Sequence, residues 1–358
     1  MPKHNAENAR IKHRYGQYLK EARRQSEASI DKAMAAIDRF EAHNRHRSFK
    51  KFHVQQALSF KRALADTSSE TSGKPLSAAT RHATFSALRA FLIWLADQPV
   101  YRATVRYADA EYFNASQRDR TIATTKREKS TPRLDQIQFV LSKMPTETDI
   151  QRRDHAVIAF TILTEARDRA IASMKLRHVD IERGVVLQDA REVRTKFAKT
   201  ITTWFFPVGD DIRAIVSDWV RYLRDDLHWG NDAPLFPATL VAVGRSRKFE
   251  AVGLDRVHWS NANRIRTIFR DAFSAADLPY FNPHSFRNTL ALLGEELCHS
   301  MAEIKAWSQN LGHAEVTTTM NSYGAIPTDR QGEIIRKLGK PLEGEDALRA
   351  KLRTFLEG

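Results

Sequence analysis

Apolar side chains recur at helical spacing along most of this chain. Within residues 48–113, Phe85, Leu88, Leu92 and Leu95 fall at i, i+3, i+7 and i+10, which puts them on one helix face. Ser77, two residues after Pro75, stands where an N-cap would. The run SSETSGKP (68–75) predicts a loop between two helices. Residues 114–131 hold almost no apolar side chains and five Lys/Arg, the composition of a linker. Thr131–Pro132 then reads as a cap followed by proline at the first helical position, with Leu134, Ile137 and Leu141 on one face beyond it. HAVIAFTILT (155–164) predicts a buried helix. VVLQ (185–188) and TITTWFFPV (200–208) flank EVRTKFAK and predict a small antiparallel sheet, with Trp204, Phe205 and Phe206 assigned to its packing. The remainder predicts helices at about 210–227, 261–276, 284–297 and 301–310. The fold class is therefore mainly α with a small antiparallel β-sheet.

Composition adds a partner. The chain has 358 residues, enough for two domains that each bury a core. Lys and Arg total 57 against 43 Asp and Glu, giving a net charge of +14 that favours a polyanion, nucleic acid foremost. Residues 1–62 carry 15 Lys/Arg and 6 Asp/Glu, and the first 25 are expected to form a basic arm. Cys298 is the only cysteine, which excludes an intrachain disulfide and a cysteine zinc cluster. No HExxH, Walker loop or GxGxxG occurs, and neither a metal nor a cofactor is expected. The start of the chain lacks an apolar signal core, and no run reaches membrane-spanning length; the expectation is a cytoplasmic protein, nucleoid-associated when bound to DNA.

Candidate chemistry lies in the last two-thirds. Arg167 sits in TEARDRAIASMKL, His284 and Arg287 in PHSFRNTLA, His313 in LGH, and Tyr323 in NSYG ten residues later. Two guanidinium forks suit a phosphate. Two histidines can move protons near neutral pH. A tyrosine oxygen can attack phosphorus and hold it covalently. Together these groups describe an enzyme that breaks and rejoins a phosphodiester.

In order, spacing and flanking residues these elements resemble the catalytic domain of the tyrosine recombinases, the phage-type integrases. That family carries an arginine after a TGxR-like turn, an H-x-L-R-H-T motif, LGH, and a tyrosine nine or ten residues on; this chain has T-E-A-Arg167, His284-S-F-Arg287-N-T, L-G-His313 and Tyr323-G. The resemblance covers roughly residues 130–330. It implies that Tyr323 is the nucleophile and leaves a 3′-phosphotyrosine. Arg167 and Arg287 would clamp the phosphate, His284 would act as base, and His313 would orient the phosphate. The family's general-acid lysine lies on a β-hairpin, which selects Lys196 over Lys199; Lys199, with Arg127 and Lys129 of the linker, would contact DNA phosphates. The same resemblance implies a helical core-binding (SAM-like) domain at 26–116, a linker at 117–131, a catalytic domain at 132–340 and an oligomerisation tail at 341–358, where Leu348, Leu352 and Phe355 form an apolar stripe. The implied partner is double-stranded DNA, bound by a homotetramer on two sites, with accessory DNA-bending or directionality proteins. Three positions depart from the family: Glu165 replaces the glycine before the arginine, Ala170 stands where many members are acidic, and Asn288 where histidine is common. The rival readings are a type IB topoisomerase-like enzyme and a catalytically inactive DNA-binding protein.

Overall fold

The structure is a computed structural model that describes residues 5–68, 73, 75–124, 130–195, 198–244, 247–313, and 332, 335 and 336. The chain divides into two compact units, Met1–Arg127 and Glu128–Gly358.

The first unit is helical: α1 (Ala6–Gln17), α2 (Glu27–His43), α3 (Val54–Asp66), α4 (Ala78–Ala96) and α5 (Gln117–Thr124). Phe85, Leu88, Leu92 and Leu95 are all buried along α4, as their spacing predicts. Ser77 caps that helix, its hydroxyl accepting from the Thr80 amide at 3.1 Å. The core is aromatic; Phe40 meets Phe60 and Phe113 edge to face, each at 5.3 Å. Two expectations change here. The expected basic arm is α1, extended by a π turn at Tyr18–Ala22, with Ile11, Tyr15 and Leu19 in the core. Those three are spaced at i, i+4 and i+8, so one face of the basic segment is apolar. The first part of the expected linker is α5, which packs on α4. Arg127 and Lys129 lie outside the described residues.

The second unit is built around α7 (Asp149–Thr164), which follows α6 (Leu134–Lys143). Ten residues of α7 are buried, as its apolar sequence predicts. Thr148 and Gln151 close its N-terminus reciprocally: the hydroxyl accepts at 3.3 Å and the amide oxygen at 2.9 Å. Helix α6 starts at Leu134 rather than at Pro132, because the Pro132 carbonyl instead accepts from the Thr289 hydroxyl at 2.6 Å. A short helix α8 (Asp168–Ile171) leads into β1 (Val179–Asp180), β2 (Val185–Gln188) and β3 (Ile201–Trp204). They form an antiparallel sheet in chain order, with Val185 opposite Trp204 and Gln188 opposite Ile201. Phe206 is buried against Trp307 at 4.9 Å, and Phe205 is half-buried. Trp204 is 51% exposed, contrary to its assignment to the sheet packing. Thr203 faces the core, so period two turns Trp204 outward, where Arg183 lies over its ring.

Helix α9 (Asp210–Arg221) is followed by a two-stranded hairpin of β4 (Pro237–Val243) and β5 (Phe249–His258), which the sequence reading passed over. Its base is anchored by the fully buried Arg153, whose guanidinium donates to the Pro237 carbonyl and the Thr239 hydroxyl at 3.0 Å each and pairs with Asp154. The chain then forms α10 (Asn263–Ala275), α11 (Phe286–Leu297) and α12 (Met301–Asn310), matching the predicted helical segments. Phe269 and Phe286 bring α10 and α11 together at 5.0 Å. Helix α12 docks on α11 through Gly294, where an added Cβ would lie 2.5 Å from the Trp307 indole nitrogen. Among the described residues no helix is long and apolar enough to cross a membrane. The predicted apolar stripe of the C-terminal tail lies outside the described residues.

Candidate active site

The turn after α7 positions Arg167. The Glu165 amide closes the helix on the Thr161 carbonyl at 2.9 Å with Glu165 left-handed, at φ 55°. The Thr164 hydroxyl accepts from the Ala166 amide at 3.2 Å, and Arg167 then turns extended as the cap of α8. The Phe206 amide donates to the Leu163 carbonyl at 2.8 Å and ties this turn to the segment after β3. A glycine would hold the left-handed position freely; a glutamate there costs roughly 1–2 kcal/mol.

Arg287 lies in the first turn of α11 and is buried. Three of its nitrogens are engaged. Nε donates to His313 Nε2 at 3.1 Å, Nη2 donates to the Leu311 carbonyl, and Nη1 faces Glu165 Oε1 at 2.5 Å as an ion pair. His284 is exposed on the 3-10 turn Pro283–Ser285, which leads into the same helix. A cavity of about 350 Å³ is lined by Glu165, Arg167, Asp168, Arg266, Asn282 and His284, among others.

His313 follows Gly312, whose φ of +70° is the conformation that makes glycine necessary in LGH. The turn ends α12 by hydrogen bonds from Gly312 N to Gln309 O at 2.8 Å and from His313 N to Ser308 O at 3.1 Å. The Asn310 side chain accepts from Trp204 N at 2.7 Å and donates to Trp204 O at 2.9 Å. It thereby mimics a neighbouring strand on β3, and Gly312 lies against Ile201 at the other end of that strand. The segment that carries Lys199 is thus held beside LGH; Lys199 itself is exposed, two residues before β3. Lys196 and Tyr323 lie outside the described residues.

Electrostatics bind the cluster together. Burial lowers the His313 pKa to about 4, and the charges of Arg287, Arg167 and His284 push the same way. The ring is therefore neutral at pH 7; it accepts from Arg287 at Nε2, so its proton sits on Nδ1. Burial raises the Glu165 carboxyl, against the pull of Arg287 and Arg167; the permanently charged guanidinium 2.5 Å from Oε1 is what favours its ionised form. A pH dependence follows. Between the ordinary histidine value of 6.5 and about 4, the unfolded chain binds a proton at residue 313 that the folded chain refuses, so acidification through that window destabilises the fold. In His313→Gln the fall in thermal midpoint from pH 7 to pH 5 is expected to be shallower than in the wild type. Equal slopes in the two proteins would contradict this.

Arg167, His284, Arg287 and His313 are the sequence candidates brought together here. Two further groups were missed. Glu165 was noted only as a departure from glycine, and that departure was its signal. Arg266 of α10 donates to Asp168 Oδ2 at 3.0 and 2.7 Å, which turns Asp168 toward α10 as the partner of a third cation in the cavity.

Comparison with known proteins agrees with this architecture. The profile described as the phage integrase family matches residues 133–328, more than half of the chain. A lambda integrase dimer bound to a COC′ core site is 14% identical with a TM-score of 0.60, covering 89% of this chain and 80% of that one. XerH site-specific recombinase bound to palindromic difH substrate, in a post-cleavage complex, is 16% identical with a TM-score of 0.57, covering 92% and 85%. The Tn1549 transposon integrase in complex with transposon right end DNA is 11% identical with a TM-score of 0.54, covering 92% and 99%. At these identities the likeness is one of fold. No curated protein matches the sequence.

Proposed function

The chain belongs to the phage integrase family and is a tyrosine-type site-specific recombinase, and from that premise we propose that Arg167, Arg287, His284 and His313 hold one scissile DNA phosphate while Tyr323 attacks it. The observation that carries this reading is the Arg287 guanidinium, buried and held on three sides, beside a cavity lined by Arg167 and His284. Cleavage builds negative charge on the non-bridging oxygens, and preorganised cations stabilise that charge without reorganising. Tyr323 Oη bonds to phosphorus, its proton passes to His284, and the bond to the 5′-oxygen breaks. Neutral His313 orients the phosphate, its Nε2 accepting from the Arg287 guanidinium. The product is a 3′-phosphotyrosine and a free 5′-hydroxyl. A 5′-hydroxyl from a second site reverses the step, so the phosphotyrosine conserves the bond energy and no nucleotide cofactor is consumed. The nucleophile is a side chain, so these steps call on no metal-bound water.

Double-stranded DNA is the partner that the net charge of +14 supports. The helical first unit serves as a core-binding domain, and Arg127, Lys129 and Lys199 contact backbone phosphates. Four protomers on two sites carry out exchange, joined through the tail at 341–358. The protein acts in the cytoplasm, on DNA. A suicide substrate offered with a second site tests the reading. A covalent adduct followed by joining between sites supports it, relaxation without joining points to a topoisomerase, and binding without adduct overturns it.

Lys196 protonates the leaving 5′-oxygen. Replacing that oxygen by sulfur gives a leaving group that needs no proton. Lys196→Ala is expected to be severely slow on normal DNA and nearly restored on the sulfur substrate, with Lys199→Ala mild on both. Rescue confined to Lys199→Ala would reverse the two roles.

A further inference from the structure

We propose that Glu165 is a positioning residue of the cleavage reaction, its buried carboxylate fixing the Arg287 guanidinium in place at the phosphate site. The proposal rests on the reading of Arg287 as a phosphate clamp. Three groups fix the guanidinium: His313 Nε2, the Leu311 carbonyl and Glu165 Oε1. Only Glu165 brings a negative charge. Both side chains of the ion pair are buried, at 6% and 9% exposure, so the attraction acts in a low-dielectric setting where an unpartnered cation would be costly.

The backbone points the same way. Glu165 occupies a left-handed position, φ 55°, that glycine would hold without strain. Strain kept at a site is a pointer to function. Here the strained residue is the one whose side chain reaches Arg287. The other acidic candidates are accounted for. Asp168 is bound to Arg266, and the position three after Arg167 is Ala170, buried and without a carboxylate. Among the described residues, Glu165 is the carboxylate ion-paired with Arg287. Before DNA arrives it also offsets the mutual repulsion of the two clamp arginines, whose charges both act on it. A scissile phosphate takes over part of that neutralising role. The carboxylate then serves to keep the guanidinium from leaning toward the ground-state phosphate.

This predicts a split between binding and rate. Glu165→Gln keeps the shape and removes the charge. It should bind DNA as tightly as the wild type or tighter, because the site becomes more positive. It should cleave a saturating suicide substrate at least about tenfold more slowly, because the clamp is no longer held in register. In an Arg287→Ala background the same substitution should change the cleavage rate by less than about twofold, since two residues acting through one group are not additive. Glu165→Gly relieves the backbone strain but leaves Arg287 without its carboxylate, so a cleavage rate that stays slow when measured well below the variant's own thermal midpoint separates positioning from folding. A Glu165→Gln rate at or above wild type overturns the proposal. So does an equal loss in the presence and absence of Arg287. If the wild type itself forms no adduct, the clamp reading fails first, and the role of Glu165 falls with it.

Discussion

Tyr323→Phe is expected to bind its DNA as the wild type does and to form no covalent adduct. The substitution removes one oxygen and keeps the ring. Phosphate contacts by Lys and Arg supply most of the affinity for DNA, and none of them is touched. The lost oxygen is the atom that would bond to phosphorus, and no water can leave a protein–DNA link in its place. The drop in adduct should therefore be complete within detection, measured as protein–DNA species resistant to denaturant on a suicide substrate. Adduct at the wild-type level would remove Tyr323 from the reaction and turn attention to Tyr280, which is 43% exposed on the approach to His284.

Arg287→Ala and Arg167→Ala are expected to slow cleavage on the order of 100-fold or more, the cost of losing one preorganised donor to a developing oxyanion. DNA binding should change by less than about threefold, because each arginine is one of many phosphate contacts. The two variants should differ in stability. Arg287 is buried against Glu165, so its removal strands a buried carboxylate, at a cost of about 3–5 kcal/mol. Arg167 is half-buried and should cost less. Lysine should rescue neither rate. At residue 287 an ammonium cannot reach His313, the Leu311 carbonyl, Glu165 and a phosphate from one rigid plane. Full rate for either lysine variant, in single-turnover cleavage, would show that the arginine is not a transition-state clamp.

Much of this arrangement was legible because it is local. The α4 stripe from Phe85 to Leu95 and the apolar run of α7 declare themselves by period. The β2 and β3 segments do so by β-branched residues around a polar turn. The site was legible as an ordered set of motifs in which each group has a distinct chemical task. What stayed hidden depends on distant partners. Ile11, Tyr15 and Leu19 read as part of a charged arm until the core that receives them is known. The β4–β5 hairpin is secured by Arg153, 84 residues before the Pro237 carbonyl it grips. The strand-like pairing of Asn310 with Trp204 spans 106 residues. That pairing engages the backbone of Trp204 while alternation sends its ring to solvent. Glu165 looked like a lapse from a glycine motif; its meaning appears only when Arg287 is folded onto it.

The most direct measurement is to trap the reaction on a suicide substrate, digest the protein, and identify by mass spectrometry the peptide that carries DNA. The expected result is a single modified peptide, a 3′-phosphodiester on Tyr323, and a free 5′-hydroxyl on the released strand. Modification of another residue, a link to the 5′ end, or cleaved DNA with no attached peptide would contradict it.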